Sequence, residues 1–295
     1  MNKTDYRKYS GAGNNFLLVN NTNDDLKNLD KITIELIEKE KGENFDGVIF
    51  LEGSDIADFK MNYYNKDGTG NALCGNGLRC TMKYILDNNF SNRKELTIEA
   101  VNNIYAAEYK SDDFITIHFP PPKKIKLKFK LKVQFLEWWS LLTASYFDVG
   151  APHLIVFIDN IEKPVVKSLN EVDIDNWGRN LRMHKDLMPE GTNVNFVEVV
   201  SVENSEIAIR TFERGVEGET LACGTGSISA ALSAYAERNI QPPVKIHTRS
   251  NRILTVDFKV IENKIRNLTL SGPAEELISD RSEERRVGKE CRSRW

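Results

Sequence analysis

Short runs in which apolar and polar residues alternate fill most of the chain, a period of two that puts every second side chain on one face of a sheet. In the first half these runs are "FLLVN" (16–20), "GVIFLE" (47–52), "FKMNYY" (59–64), "ELTIEA" (95–100), "NIYAAEY" (103–109) and "FITIHF" (114–119). In the second half they are "HLIVFID" (153–159), "NVNFVEVVS" (193–201), "EIAIRTFE" (206–213), "VKIHT" (244–248), "ILTVDFKV" (253–260) and "IRNLTLSG" (265–272). Many follow one another across gaps of turn length, which predicts mainly antiparallel pairing rather than a series of βαβ units. Three prolines, Pro120–Pro122, punctuate the middle. The "KKIKLKFKLK" behind them alternates Lys with apolar residues, as a half-exposed strand does.

Two segments change to the longer period of a helix. After Cys223, Ile228, Ala231, Leu232 and Tyr235 recur at helical spacing, while Ala230 and Ala234 keep the other faces small. A helix apolar nearly all round is a buried one. After Cys74, Leu78, Met82, Ile85 and Leu86 make a similar stripe. Each helix follows the same succession of features: strand, polar or charged pair, glycine-containing loop, Cys-Gly-x-Gly. The copies, "YYNKDGTGNALCGNG" and "TFERGVEGETLACGTG", stand half a chain apart. The simplest architecture is an α/β protein of two similar halves, each a mainly antiparallel sheet wrapped about a central helix. Residues 1–119 form the half carrying Cys74 and residues 120–267 the half carrying Cys223.

Composition narrows the class. The 295 residues are 40% apolar and 28% charged, enough to bury a substantial core. A net charge of −3 argues against a nucleic-acid or membrane-surface partner. The opening "MNKTDYRKYSGAGNNF" has no apolar core of the kind an export signal needs, and no run reaches the ~20 apolar residues of a spanning helix. A cytoplasmic protein is expected. The cysteines Cys74, Cys80, Cys223 and Cys291 are not spaced as C-x-x-C pairs, and none of the four histidines stands in H-x-x-x-H spacing, so a metal centre has little support. Residues 281–295, "RSEERRVGKECRSRW", lack any apolar period and read as a non-native or disordered tail.

The two cysteines carry the chemistry. A helix N-terminus leaves backbone N–H groups unpaired and has a partial positive charge, so a thiol placed there is expected to ionise more readily. The glycines let N–H groups approach an anion closely. A lone cysteine is more often a small buried apolar residue, but recurrence in one context favours an acid/base pair. Two such thiols suit removal of the α-hydrogen of an amino acid from one face and return of a proton to the other. Helix N-termini holding the α-carboxylate would stabilise the charge that develops. No cofactor is expected: no pyridoxal lysine, flavin site or dinucleotide fingerprint is evident, and "GAGNNF" lacks the third glycine of a phosphate loop.

Together "GAGNNF", "NKDGTGNALCGNGLRC", "GAPHLIVF", "GTNVNFV", "FERGVEGETLACGTG" and "LSGPAE" closely resemble the diaminopimelate epimerase family, from about Tyr9 to Gly272. The resemblance implies cofactor-independent epimerisation of LL-2,6-diaminopimelate to the meso isomer, in lysine and peptidoglycan precursor synthesis. It implies two pseudo-symmetric halves, each a barrel-like sheet around its helix, a site in the cleft between them, and a closing strand (about 268–280) that returns to the first half. Cys74 and Cys223 become the acid/base residues, and Gly75, Asn76, Gly224 and Thr225 would present N–H groups to the reacting carboxylate. Arg214 suits the distal carboxylate and Glu213 the distal ammonium; Asn14, Asn65 and Asn193 match the family's asparagine ligands, and His153 lines the site. Cys80 is expected in the core. Asn15, Gly47 and Ala151 stand where relatives often carry Asp, Gln and Asn. The partner implied is a small amino acid, and two copies could form a homodimer. Proline or hydroxyproline racemases and a thiol redox protein are the competing readings. Proline, however, has no distal charges for Glu213 and Arg214 to hold.

Overall fold

The structure, a computed structural model, describes residues 4–70, 73–111, 113–134 and 139–277. The tail at 281–295, with Cys291, lies outside the described residues. The first half runs β1 (Arg7–Gly11), β2 (Asn14–Asn21), α1 (Leu29–Lys39), β3 (Gly47–Glu52), β4 (Phe59–Asn65), α2 (Gly75–Asp87), β5 (Glu95–Ala100), β6 (Asn103–Ser111) and β7 (Phe114–His118). The second runs β8 (Lys124–Gln134), β9 (Trp139–Asp148), β10 (Pro152–Phe157), α3 (Ile174–Arg182), β11 (Asn193–Ser201), β12 (Glu206–Glu213) and β13 (Gly218–Thr220). It continues through α4 (Gly224–Arg238), β14 (Val244–His247), β15 (Ile253–Ile261), β16 (Lys264–Pro273) and β17 (Glu275–Glu276).

The halves repeat one topology. β1–β2 is antiparallel, β2–β3 parallel, β3–β4 antiparallel, β4–β5 parallel, and β5–β6 and β6–β7 antiparallel. The second series gives the same order: β9–β10 antiparallel, β10–β11 parallel, β11–β12 antiparallel, β12–β14 parallel, and β14–β15 and β15–β16 antiparallel. The last strands of the two series then pair with each other, with Leu270 opposite Ile117. β16 is therefore shared, held by β15 on one side and β7 on the other. The four parallel ladders are an element the run spacing did not reveal. Each joins strands separated by a helix, α1, α2, α3 or α4, because parallel strands need a crossover of that length.

The near-continuous apolar strands follow from two-sided burial. On β2, Phe16 and Leu18 face the central core while Leu17 and Val19 face α1 and an outer cluster with Leu36 and Phe50. On β10, Ile155 and Phe157 face inward while Leu154 and Val156 pack in an outer cluster with Trp177 and Leu181 of α3. α2 and α4 are the inner helices, and their Leu78, Met82, Ile228 and Leu232 belong to one continuous core with fully buried Cys80. On β8 the exposed positions alternate at its end with buried Leu131 and Val133. Among the described residues no helix is long and apolar enough to cross a membrane.

Candidate active site

Cys74 and Cys223 occupy equivalent places, as the N-caps of α2 and α4, both with extended backbone. Extended geometry at the cap lets each side chain turn back over the first helical turn. The Cys74 Sγ accepts the Gly77 N–H at 3.3 Å, and the Cys223 Sγ lies 3.6 Å from Thr225 Oγ1. The second glycine of each motif lies against the sulfur. A Cβ at Gly77 would stand 3.4 Å from the Cys74 Sγ, and one at Gly226 3.3 Å from the Cys223 Sγ.

The first glycines bring the two motifs together. A Cβ built on Gly224 would lie 3.4 Å from the Gly75 Cα, so the helix tips abut, and Leu270 of the shared strand packs over both. Asn76 crosses the seam, its Nδ2 donating to Ala222 O at 3.1 Å and to Asn14 Oδ1. Its Oδ1 accepts Arg79 Nη2 at 2.8 Å. Arg79 is fully buried, with its other bonds to Pro273 O and Gly75 O, and desolvation pulls its pKa down to about 10. Asn14 Nδ2 and the Asn15 N–H both donate to Asp46 Oδ2 at 3.0 Å.

The remaining candidates gather on the adjoining loops. Asn193 Nδ2 donates to Pro152 O at 2.9 Å, while its Oδ1 accepts the Arg214 N–H at 2.8 Å and so anchors the turn after β12. Glu213 accepts from Thr220 Oγ1 at 2.9 Å, Arg214 Nη1 donates to Glu190 O at 3.1 Å, and Asn65 Nδ2 donates to Thr69 Oγ1 at 2.9 Å. Gly47 pairs with Asn65 across β3–β4, and a Cβ there would collide with Tyr64 O, so this backbone admits only glycine.

His153 is the candidate whose surroundings differ most from expectation. It is fully buried, and both ring nitrogens are engaged by protein groups, Nε2 with Thr225 Oγ1 at 2.9 Å and Nδ1 with Asn195 Nδ2 at 3.1 Å. Thr225 Oγ1 stands between its ring and the Cys223 sulfur, and desolvation pulls its pKa down to about 3.

The electrostatics correct a second expectation. Placement at a helix N-terminus suggested readily ionised thiols, but burial dominates: the half-buried residues open onto a seam that leaves their sulfurs little water. Desolvation pushes Cys74 up to about 12 despite the Gly77 N–H, and Glu213 pushes it further in the same direction. Cys223 is raised by desolvation first and by Glu213 next. Glu213 is itself raised to about 7 by burial, with Asp46 adding to the effect. Glu213 thus raises both thiols, and Asp46 raises Cys74 and Glu213. A cation entering beside Glu213 would cancel the charge that opposes thiolate formation.

Asp46, Arg79, Asn195 and Thr211 support the site but were not singled out from sequence. Asn195 carried a signal: it shares a strand face with Asn193 by the period of two, an amide where an apolar residue is usual. Among the described residues no three His, Cys, Asp or Glu converge as a metal cluster. Two surface hollows of about 190 and 420 Å3 are lined elsewhere, around Glu198 and His247 and around Lys126 and Met188, and neither includes a cysteine.

Two repeats of one strand order around inner helices, joined at a seam of helix tips, define a two-halved α/β fold found in several solved structures. A phenazine biosynthesis protein of the PhzF family from Bacillus anthracis aligns with TM-score 0.67 at 16% identity, covering 94% of this chain and 98% of that one. A probable proline racemase from Agrobacterium radiobacter K84 aligns with TM-score 0.67 at 15% identity, covering 93% and 91%. Sequence narrows the class further. Residues 6–124 and 145–274 match the diaminopimelate epimerase family, and the chain belongs to it. The diaminopimelate epimerase of Chlorobaculum tepidum is 36% identical over 271 residues, 90% of this chain and 96% of that protein. The diaminopimelate epimerase of Aquifex aeolicus is 30% identical over 292 residues, 95% of this chain and 98% of that protein.

Proposed function

We propose that this chain converts LL-2,6-diaminopimelate to the meso isomer by proton transfer between Cys74 and Cys223, without a cofactor, in the cytoplasmic synthesis of lysine and peptidoglycan precursors. One sulfur, as thiolate, takes the α-hydrogen from one face of the α-carbon. The other, as thiol, delivers its proton to the opposite face, so the pair exchanges roles with each turnover. The electron pair left on carbon spreads into the α-carboxylate, where N–H groups of Gly75, Asn76, Gly224 and Thr225 stabilise it in a site with little water. Glu213 takes the distal ammonium and Arg214 the distal carboxylate, with Asn14, Asn65 and Asn193 completing the set. Ammonium binding beside Glu213 also lowers the cost of the first thiolate. Residues 1–119 with the returning strand, and residues 120–267, act as the two lobes that close on the substrate.

The observation that carries this reading is the abutment of two helix tips, each capped by a cysteine whose sulfur turns over its own first turn. The test is incubation with LL-diaminopimelate in deuterated water, following α-hydrogen exchange and appearance of the meso isomer, with proline in parallel. Exchange with diaminopimelate alone is expected. Exchange with proline instead would move the substrate to the racemase class, and full activity in either Cys74→Ser or Cys223→Ser would remove the mechanism.

A further inference from the structure

A buried chain of hydrogen bonds runs from β12 to the sulfur of Cys223, and one backbone carbonyl fixes its direction. Asn195 on β11 is fully buried, with its Nδ2 3.1 Å from Leu154 O and 3.1 Å from His153 Nδ1. A carbonyl oxygen only accepts, so the Asn195 atom facing it is the amino group. That group's second hydrogen meets Nδ1, which must be the lone-pair nitrogen of the ring. On the other side, Asn195 Oδ1 accepts from Thr211 Oγ1 at 3.0 Å. A neutral imidazole has one ring hydrogen, which now sits on Nε2 and donates to Thr225 Oγ1 at 2.9 Å. The hydrogen of Thr225 points elsewhere, and the Cys223 Sγ lies 3.6 Å away.

We propose that Asn195, acting through His153 and Thr225, is a positioning residue that directs a hydrogen bond onto the Cys223 sulfur and so favours its thiolate. The proposal deepens the two-thiol reading, but the polarity of the chain is a property of the fold alone. It acts on one thiol only: each sulfur meets a backbone N–H of its own first turn, Gly77 for Cys74 and Gly226 for Cys223, and Cys223 has the Thr225 hydroxyl beside it as well. The groups working against it on Cys223 are Glu213 of β12 and Cys74 across the seam. Arg214 and burial keep His153 neutral, so the ring orients a hydrogen bond and passes no proton.

Two measurements test this, and neither reads epimerisation, so another substrate would leave them intact. The chain has only four histidines, His118, His153, His184 and His247, which makes ring nitrogens resolvable by 15N NMR. His153 is expected as the Nε2–H tautomer, neutral from pH 5 to 9; an Nδ1–H tautomer or an imidazolium overturns the proposal. Asn195→Asp substitutes a carboxylate that accepts from the ring, which reverses the chain and leaves Cys223 with the Gly226 N–H but without its side-chain donor. Alkylation by iodoacetamide at pH 8, resolved by peptide mass spectrometry, should then slow by about tenfold at Cys223, with Cys74 in the same sample as reference. Equal slowing of both thiols, or of neither, refutes it. Should Asn195→Asp fail to fold, Thr225→Val removes the same final donor and Thr225→Ser restores it; the selective loss and its recovery are the expected pair.

Discussion

Gly77 and Gly226 hold the same place in their motifs, so adding one methyl to each makes a matched experiment. Both are helical, and Ala is favoured over Gly in a helix interior by about 1 kcal/mol. At Gly77 the new Cβ meets Ile49 Cδ1 at 3.1 Å, the free end of a flexible side chain that can yield. The net change for Gly77→Ala is therefore within about 0.5 kcal/mol of zero. At Gly226 the Cβ would stand 2.5 Å from Asn195 Oδ1. That amide cannot move freely, because Thr211, Leu154 and His153 bind it on both ends. Displacing it forfeits one or more buried hydrogen bonds and leaves their partners unsatisfied, about 2–4 kcal/mol in all. After the helix gain, Gly226→Ala should destabilise by about 1–3 kcal/mol. Urea unfolding of both variants reads the difference, compared at a common slope. If Gly226→Ala proves as stable as Gly77→Ala, Asn195 is not held by these bonds and does not orient His153.

Other consequences can be checked alongside. Cys74→Ser and Cys223→Ser should each lose about 99% or more of epimerisation, while Cys80→Ala, in the core, retains most of it; formation of the meso isomer measures all three (on the order of 10²–10⁴-fold for a lost proton-transfer group). Stability should carry two opposed pH slopes. Glu213 holds its proton to about 7 in the folded chain, against an ordinary 4.5, so its contribution is lost as pH rises through that window. His153, at about 3 against 6.5, contributes stability that is lost as pH falls below 6.5. Glu213→Gln removes the first slope, on the order of 3 kcal/mol across that window, and leaves urea midpoints rising with pH from 4 to 6.5. Arg79→Ala should cost about 2–4 kcal/mol through a cavity and orphaned Asn76 and Pro273 acceptors, and Arg79→Met less, because it fills the space with no buried charge. Thermal melts distinguish the two.

What the sequence determined is whatever depends on neighbours in the chain. Period-two runs place β2, β3, β10 and β11, and the all-round apolar stretch after Cys223 places α4, because backbone geometry alone decides which side chains share a face. The caps at Cys74 and Cys223 are equally local: a cysteine before Gly-x-Gly and an apolar period has few other conformations. The duplication of strand, loop and helix also made the two-halved fold legible before any contact was known. Tertiary structure decided the rest, since it depends on what surrounds a group rather than what adjoins it. Parallel pairing of β2 with β3 and of β10 with β11 needs α1 and α3 to cross over, and neither helix was read in advance. The sign of the thiol shifts reversed because desolvation at the seam outweighs the helix terminus, and a pattern of residue types does not contain water. His153 and Asn195 come from strands paired in parallel, so only the register of β10 against β11 could reveal the amide that orients the ring.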